Sequence, residues 1–261
     1  MASISYQVET WGTVILIELS SQSVGDEKLL DAAKEAEDFL LKIDALFSTY
    51  RDDSQVSSLR AGQLDIADAD PLVQEVWDKC LNARELTDGA FDPWQVQGGF
   101  DPSGFVKGWA ADKCGEIFKK YGVENSLVNA AGDISVRGGL LKNGVVIPWP
   151  LQIRNPEKFD EVVKDVPMHD GAIATSGVSE KGSHIKDPFT GLIAIGALSA
   201  TVVGPDGGMA EALATALMVA GKDGATWFET EEFADYWAFV IDRHSNTSWS
   251  VAGSAVSKGV F

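Results

Sequence analysis

The chain has 261 residues, with 39 Asp plus Glu against 21 Lys plus Arg and a formal charge of −18, which excludes the basic surface that nonspecific binding to nucleic acid or an anionic membrane requires. Its 45% hydrophobic and 23% charged residues are the proportions of a folded, water-soluble protein without extensive disorder. The length suits one core, held by a single domain over 1–261 or by two interleaved halves sharing it.

The opening stretch, MASISYQVETWGTVILIELS, lacks a basic leader, and its apolar run is interrupted by Glu18, so it reads as neither a signal peptide nor a membrane span. A cytoplasmic protein with no membrane anchor is expected. Residues 4–20 alternate and are rich in Val, Ile and Thr, the pattern of a β-hairpin bending at Gly12. From Asp26 to Phe47 apolar residues recur every three or four positions, which predicts an amphipathic helix packed on a sheet. That helix breaks into FSTYRDDSQVSSL, where Tyr50 either staples the helix end or stacks on a planar ligand ring.

A second helix is expected from Pro71 to Leu86, and it delivers the chain into TDGAFDPWQVQGGFDPSGFVKGWAADK, Thr87 to Lys113. This run holds five glycines and two Asp-Pro steps, residues that specify tight backbone conformations whose amides can approach a ligand. Asp88, Asp92, Asp101 and Lys107 supply its charge. A third helix is expected from Phe105 to a glycine cap at Tyr121-Gly122, with Lys107 in its first turn. Cys80 and Cys114 fall on helices without metal-ligand spacing and read as buried apolar thiols.

Strands follow at SLVNA, DISVRGG, VVIPWPLQIRNP taken as one strand, AIATSG and LSATVVG; MAEALATALMVAG is a helix, and YWAFVIDRHSNTSWSV a hairpin turning at Asn246. Long helices laid on mostly antiparallel strands give an α+β layer architecture. Neither GxGxxG nor a Walker-type loop occurs, so a nucleotide would be held some other way.

Three further patches carry polar groups. NAAGDISVRG sets Gly132 and Asp133 between two strands, as a plain hairpin turn or as a turn exposing amides. Residues 174–191, ATSGVSEKGSHIKDPFTG, bring Thr175, Ser176, His184, Lys186 and Asp187 into one irregular stretch after a buried strand, with His184 open to either a structural or a chemical role. Glu211 and Thr215 lie four apart near a helix start and so on one face. They suit an oxygen-ligated divalent cation, or equally a glutamate placed near a helix N-terminus with a packed threonine.

In this order the patches resemble the FAD:protein FMN transferase family, also called ApbE. TDGAFDP is similar to the family's T-x-G-A-F-D, DPSGFVKGWAADK to its L-D-L-G-G-I-A-K-G-Y-A-V-D, and SLVNAAGDISVRG to its V-N-x-G-G-D element. ATSG, SHIKDPFTG and VVGPDGGMAEALATAL resemble its T-S-G, H-I-x-D-P-x-T-G and A-D-A-x-A-T-A signatures. The resemblance implies a T-fold-like α+β protein that binds FAD and Mg²⁺ and attaches FMN to a Thr or Ser of a target flavoprotein, releasing AMP. It also leaves room for an FAD pyrophosphatase, or for a flavin-binding protein without transfer activity.

Carried over by position, Tyr50, Ala90, Phe91, Asp92, Asp101, Lys107 and Ile185 would contact FAD. Gly104, through its carbonyl, would hold the metal with Glu211 and Thr215; His184 and Asp187 are the candidate proton acceptors. Three departures stand out. The stretch between the AFD triplet and Asp101 is shorter than in many members, Ala131 replaces a glycine, and Glu211 stands where the family has a metal-binding aspartate. Because Mg²⁺ demands near-ideal geometry, weakened metal binding and a reduced transfer rate are expected.

Overall fold

The alternating N-terminus folds as β1 (Ala2–Thr10) and β2 (Thr13–Ser21), antiparallel and joined through Trp11 and Gly12 at φ 54° and 67°. Two consecutive positive φ values make the tight turn that matches strand twist. The computed structural model describes residues 2–95, 98–178, 185–245 and 247–257. In them the remaining strands are β3 (Asn125–Ala130), β4 (Asp133–Arg137), β5 (Leu140–Lys142), β6 (Val145–Ile147), β7 (Trp149–Asn155), β8 (Lys158–Met168), β9 (Gly171–Gly177), β10 (Ser199–Gly204), β11 (Trp237–Ile241) and β12 (Ser248–Ala252). β1, β2 and six of these form one eight-stranded antiparallel sheet in the order β1-β2-β3-β4-β9-β10-β11-β12.

The helices are α1 (Asp26–Phe47), α2 (Gln55–Arg60), α3 (Pro71–Leu86), α4 (Val106–Lys120) and α5 (Gly207–Ala220). α1 packs on β1 and β2, α4 on β3 and β4, and α5 on β9 and β10, with α4 touching both of the others. The amphipathic stripe of α1 is buried as the spacing requires: Leu29, Ala33, Ala36, Leu40, Ile43 and Phe47 all face the core. α5 instead buries nearly its whole circumference, from Gly207 through Met218, because α3, α4 and the sheet surround it. Cys80 and Cys114 are free and buried, and burial pushes both thiols' pKa values up, so they act as small apolar fillers.

The opposite face of the sheet has its own core. Trp149, Leu151 and Ile153 of β7 and Val166 and Met168 of β8 cover Leu127, Val136, Ile173, Val203 and Trp237. This hairpin corrects the sequence reading of VVIPWPLQIRNP as one strand: Pro148 separates β6, paired to β5, from β7, paired to β8. Proline removes the N–H that a continuing ladder needs. FSTYRDDSQVSSL likewise holds more than a helix end, since Ser54 Oγ accepts from Ser57 N–H and caps α2. The Asn246 turn lies outside the described residues. Among the described residues no helix is long and apolar enough to cross a membrane.

α3 starts as its sequence dictates, with Pro71 at its first position and Asp70 Oδ1 accepting from Leu72 N–H at 2.9 Å. Asp70 also pairs with Lys42 of α1 at 3.0 Å. Asp70→Ala is expected to cost about 1 kcal/mol, the usual worth of an N-cap, with the exposed ion pair adding little. An unchanged midpoint in urea unfolding would sink that assignment.

Candidate functional site

Two helix starts meet glycine to glycine. A Cβ built on Gly108 of α4 would sit 2.1 Å from the Gly207 carbonyl oxygen, and one on Gly207 would sit 2.6 Å from the Gly108 oxygen. Only paired glycines allow so close a backbone approach. Asp112, one turn further along α4, locks the crossing: its Oδ2 accepts from Gly207 N–H at 2.5 Å, and its Oδ1 from Ser135 Oγ at 2.6 Å and from Arg137 at 3.3 Å. Burial pushes the Asp112 pKa up, partly offset by these donors. Asp206 caps α5 through Met209 N–H at 2.9 Å.

This crossing brings a buried charge cluster together. Lys107 Nζ donates to Glu211 Oε1 and to Asp133 Oδ2, while Gly108 N–H donates to Glu211 Oε2 at 3.0 Å. The Glu211 and Asp133 side chains are nearly fully buried, at 4% and 6% exposure, whereas the Lys107 side chain as a whole keeps 24%. Burial works to lower the Lys107 pKa, but Asp133 and Glu211 outweigh it and hold the group charged. Burial raises the Glu211 pKa, and Asp133 adds to the effect against the opposing pull of Lys107 and the Gly108 amide. Two buried acids thus share one base.

One turn beyond Glu211, Thr215 Oγ1 lies 3.2 Å from Ser176 Oγ at the end of β9. Gly104 abuts the same hydroxyl, since a Cβ there would be 3.3 Å from both Thr215 Oγ1 and the Phe91 ring. Carboxylate, two hydroxyls and a neighbouring backbone segment make an all-oxygen donor set, which suits Mg²⁺ in kind. These residue types would suit such a metal, with Lys107 lying on the Glu211 carboxylate.

The glycine-rich loop lines the approach. Asp88 and Gly89 have φ 52° and 81°, and Thr87 Oγ1 accepts from Phe91 N–H at 3.2 Å while donating to Ala83 O at 2.8 Å. Ala90 and Phe91 are buried. Asp92 Oδ2 accepts from Arg84 Nε at 2.6 Å and its Oδ1 from Trp94 N–H. Asp101 Oδ1 accepts from Ser103 N–H and Oγ, capping the short turn that ends at Gly104. Asp101 N–H reaches Pro93 O at 2.8 Å, closing the shortened loop at its neck. Trp77, Trp94 and Phe100 fill it, with ring centroids 4.6–5.2 Å apart.

The structure thus brings Phe91, Gly104, Lys107, Glu211 and Thr215 together. Tyr50 stands apart from any core at 97% exposure, and Ile185 packs partly buried against the main core. Asp187 Oδ1 accepts from the Phe189 and Thr190 amides at 2.8 and 3.3 Å, shaping its turn, and Phe189 lies over Gly89. His184 lies outside the described residues. Sequence reasoning named Asp133 and Ser176 within polar patches but gave neither a role, and it passed over Asp112. The position of Asp133 directly after the Ala131-Gly132 turn was the available signal, because Ala131 and Gly132 at φ 57° and 99° aim the strand start at α4. A cleft of about 1010 Å³ lined by Arg137, Lys164, His169 and Trp237 contains none of these residues.

Against known proteins, the chain is 29% identical over 276 residues to the FAD:protein FMN transferase of Vibrio cholerae serotype O1, covering 82% of this chain and 80% of that protein. A shorter stretch of 132 residues, 47% of this chain and 24% of the other, is 33% identical to the FAD:protein FMN transferase of Rhodobacter capsulatus. Among solved structures, the flavin transferase ApbE of Vibrio cholerae superposes with a TM-score of 0.80 at 24% identity, covering 97% of each chain. The ApbE protein of Thermotoga maritima gives 0.82 at 24% identity, over 95% of this chain and 97% of that one. These structural likenesses establish the shared mixed helix and antiparallel-sheet fold. Residues 11–98 and 95–237 match the family model itself, and the chain belongs to the ApbE family.

Proposed function

We propose that the chain is a Mg²⁺-assisted FAD:protein FMN transferase, moving FMN from FAD onto a Thr or Ser hydroxyl of a target flavoprotein and releasing AMP. The observation that carries this reading is the Lys107 ammonium held between the buried acids Asp133 and Glu211, with Thr215 and its partner Ser176 one helical turn beyond Glu211, in a chain of charge −18. The function named for the curated relatives supports it.

In this reading Thr87 to Lys107 cradles FAD, with Tyr50 and Ile185 flanking the flavin. Glu211, Thr215 and the Gly104 carbonyl would hold the metal. When bound, Mg²⁺ supplies neutralisation of the diphosphate and of the departing AMP oxygen. Lys107 donates to the phosphoryl oxygens, binding and orienting the diphosphate. The acceptor oxygen forms a bond to the FMN phosphorus as the phosphorus–oxygen bond to AMP breaks, and the hydroxyl proton passes to a base. His184 and Asp187 are the candidates; Asp187 Oδ1 is engaged by two turn amides.

The test is incubation with FAD, Mg²⁺ and a flavoprotein domain bearing Thr and Ser. AMP formed together with an acceptor that gains the mass of FMN is the expected result. AMP with free FMN and an unmodified acceptor would instead identify a pyrophosphatase, and intact FAD retained on the protein a carrier.

A further inference from the structure

Both carboxylate oxygens of Glu211 are engaged by α4: Oε1 by the Lys107 ammonium and Oε2 by the Gly108 amide at 3.0 Å. A carboxylate one methylene shorter would fall back towards α5 and lose this reach. Thr215, one turn on, has no such tie to α4; its hydroxyl meets Ser176. Of the oxygen donors proposed for a divalent cation, the Glu211 carboxylate is thus held by a competing cation, the ammonium it shares with Asp133. That cation can move, because lysine is a point charge on a flexible stem and this one retains 24% exposure.

We infer that Lys107 competes with the divalent cation for Glu211, and that the nucleotide diphosphate resolves the competition by drawing the ammonium away and releasing the carboxylate. This rests on the metal site proposed above. Lys107 has two arrangements, one on Glu211 and Asp133 and one on the diphosphate. Metal and FAD each favour the second, so each tightens the other's binding by the same factor. Asp133 stays beside the ammonium's resting position, which keeps the Lys107 side chain charged and poised. The Glu211 substitution thereby becomes a device that discourages metal loading without nucleotide.

Direct contact between metal and phosphate would couple the two ligands in any such enzyme, so the deciding comparison is made without nucleotide. Mn²⁺ binding to the nucleotide-free full-length protein is measured by calorimetry and electron paramagnetic resonance, for the wild type, Lys107→Met and Glu211→Asp, with melting curves to confirm folding. Both substitutions are expected to tighten Mn²⁺ roughly 5- to 150-fold, the usual span of a coupling between sites, and FAD then tightens it less than in the wild type. Should Lys107→Met fail to fold, Lys107→Gln takes its place, because Glu211→Asp also changes the reach of the ligand itself. Mn²⁺ binding that both substitutions leave unchanged or weaker overturns the competition while the metal site stands. No Mn²⁺ binding in any form, even with saturating FAD, removes the metal site and the competition with it.

Discussion

Gly108→Ala destabilises the protein by about 3 kcal/mol or more, while Gly115→Ala, two turns further along the same helix, stabilises it. Helix propensity alone predicts the same gain at both positions, about 1 kcal/mol for alanine over glycine. Packing separates them. At Gly115 the new Cβ would meet Arg137 Cγ at 3.8 Å, an ordinary contact, so a gain of about 0.4–1 kcal/mol remains. At Gly108 it would lie 2.1 Å from Gly207 O and 2.5 Å from the Gly207 carbonyl carbon. Neither is the end of a flexible side chain, so α4 and α5 must part, and the cost lies at or above the roughly 1–3 kcal/mol of ordinary overpacking. Parting them also breaks the Asp112–Gly207 and Gly108–Glu211 hydrogen bonds. Urea unfolding of the two variants decides the matter, and equal shifts of the same sign would refute the claim that this crossing sets the site.

The contrast shows what a sequence can and cannot carry. The helices α1 and α3 were legible to the residue, because their signals are local: apolar spacing, Pro71 at a first turn, a polar break after Phe47. Lys107, Glu211 and Thr215 were named together through the ordered resemblance; the structure pairs Lys107 with Glu211 and sets Thr215 one turn further along α5. What was hidden is non-local. Nothing in GGM or KGW says that Gly207 and Gly108 touch, since that contact spans the chain from α4 to α5. Asp92 and Asp101 were read as polar ligand contacts, and both also spend oxygens on the loop itself, through the Trp94 and Ser103 amides, with Arg84 of α3 holding Asp92 as well; a short loop needs such internal donors to hold its shape. β8 escaped because its face alternates only against Trp149 and its neighbours, which the sequence places on another strand.

Lys107→Met is expected to cost about 3 kcal/mol of stability and to abolish most flavin transfer, and the two losses answer to different rescues. Removing one partner of a buried ion pair typically costs about 3–5 kcal/mol because the other charge is left uncompensated. Here Glu211 and Asp133 are both nearly fully buried, and they share this single ammonium; the partial exposure of Lys107 places the cost at the lower end. Glu211 already has its pKa raised, first by burial and then by Asp133, and losing Lys107 raises it further. A carboxyl whose folded pKa exceeds its unfolded one gives stability that is present below the unfolded value and is lost as pH rises through the folded value. The deficit of the variant is therefore smaller in acid than above neutrality. Adding Glu211→Leu removes one of the stranded charges and restores much of the stability, but on the proposed reading it restores no transfer, because the groups that would bind the diphosphate and the metal are then both gone. Denaturant midpoints at several pH values, read beside AMP release, check both halves. A single variant as stable as the wild type at every pH would mean that Asp133 and Glu211 do not depend on Lys107 for their burial.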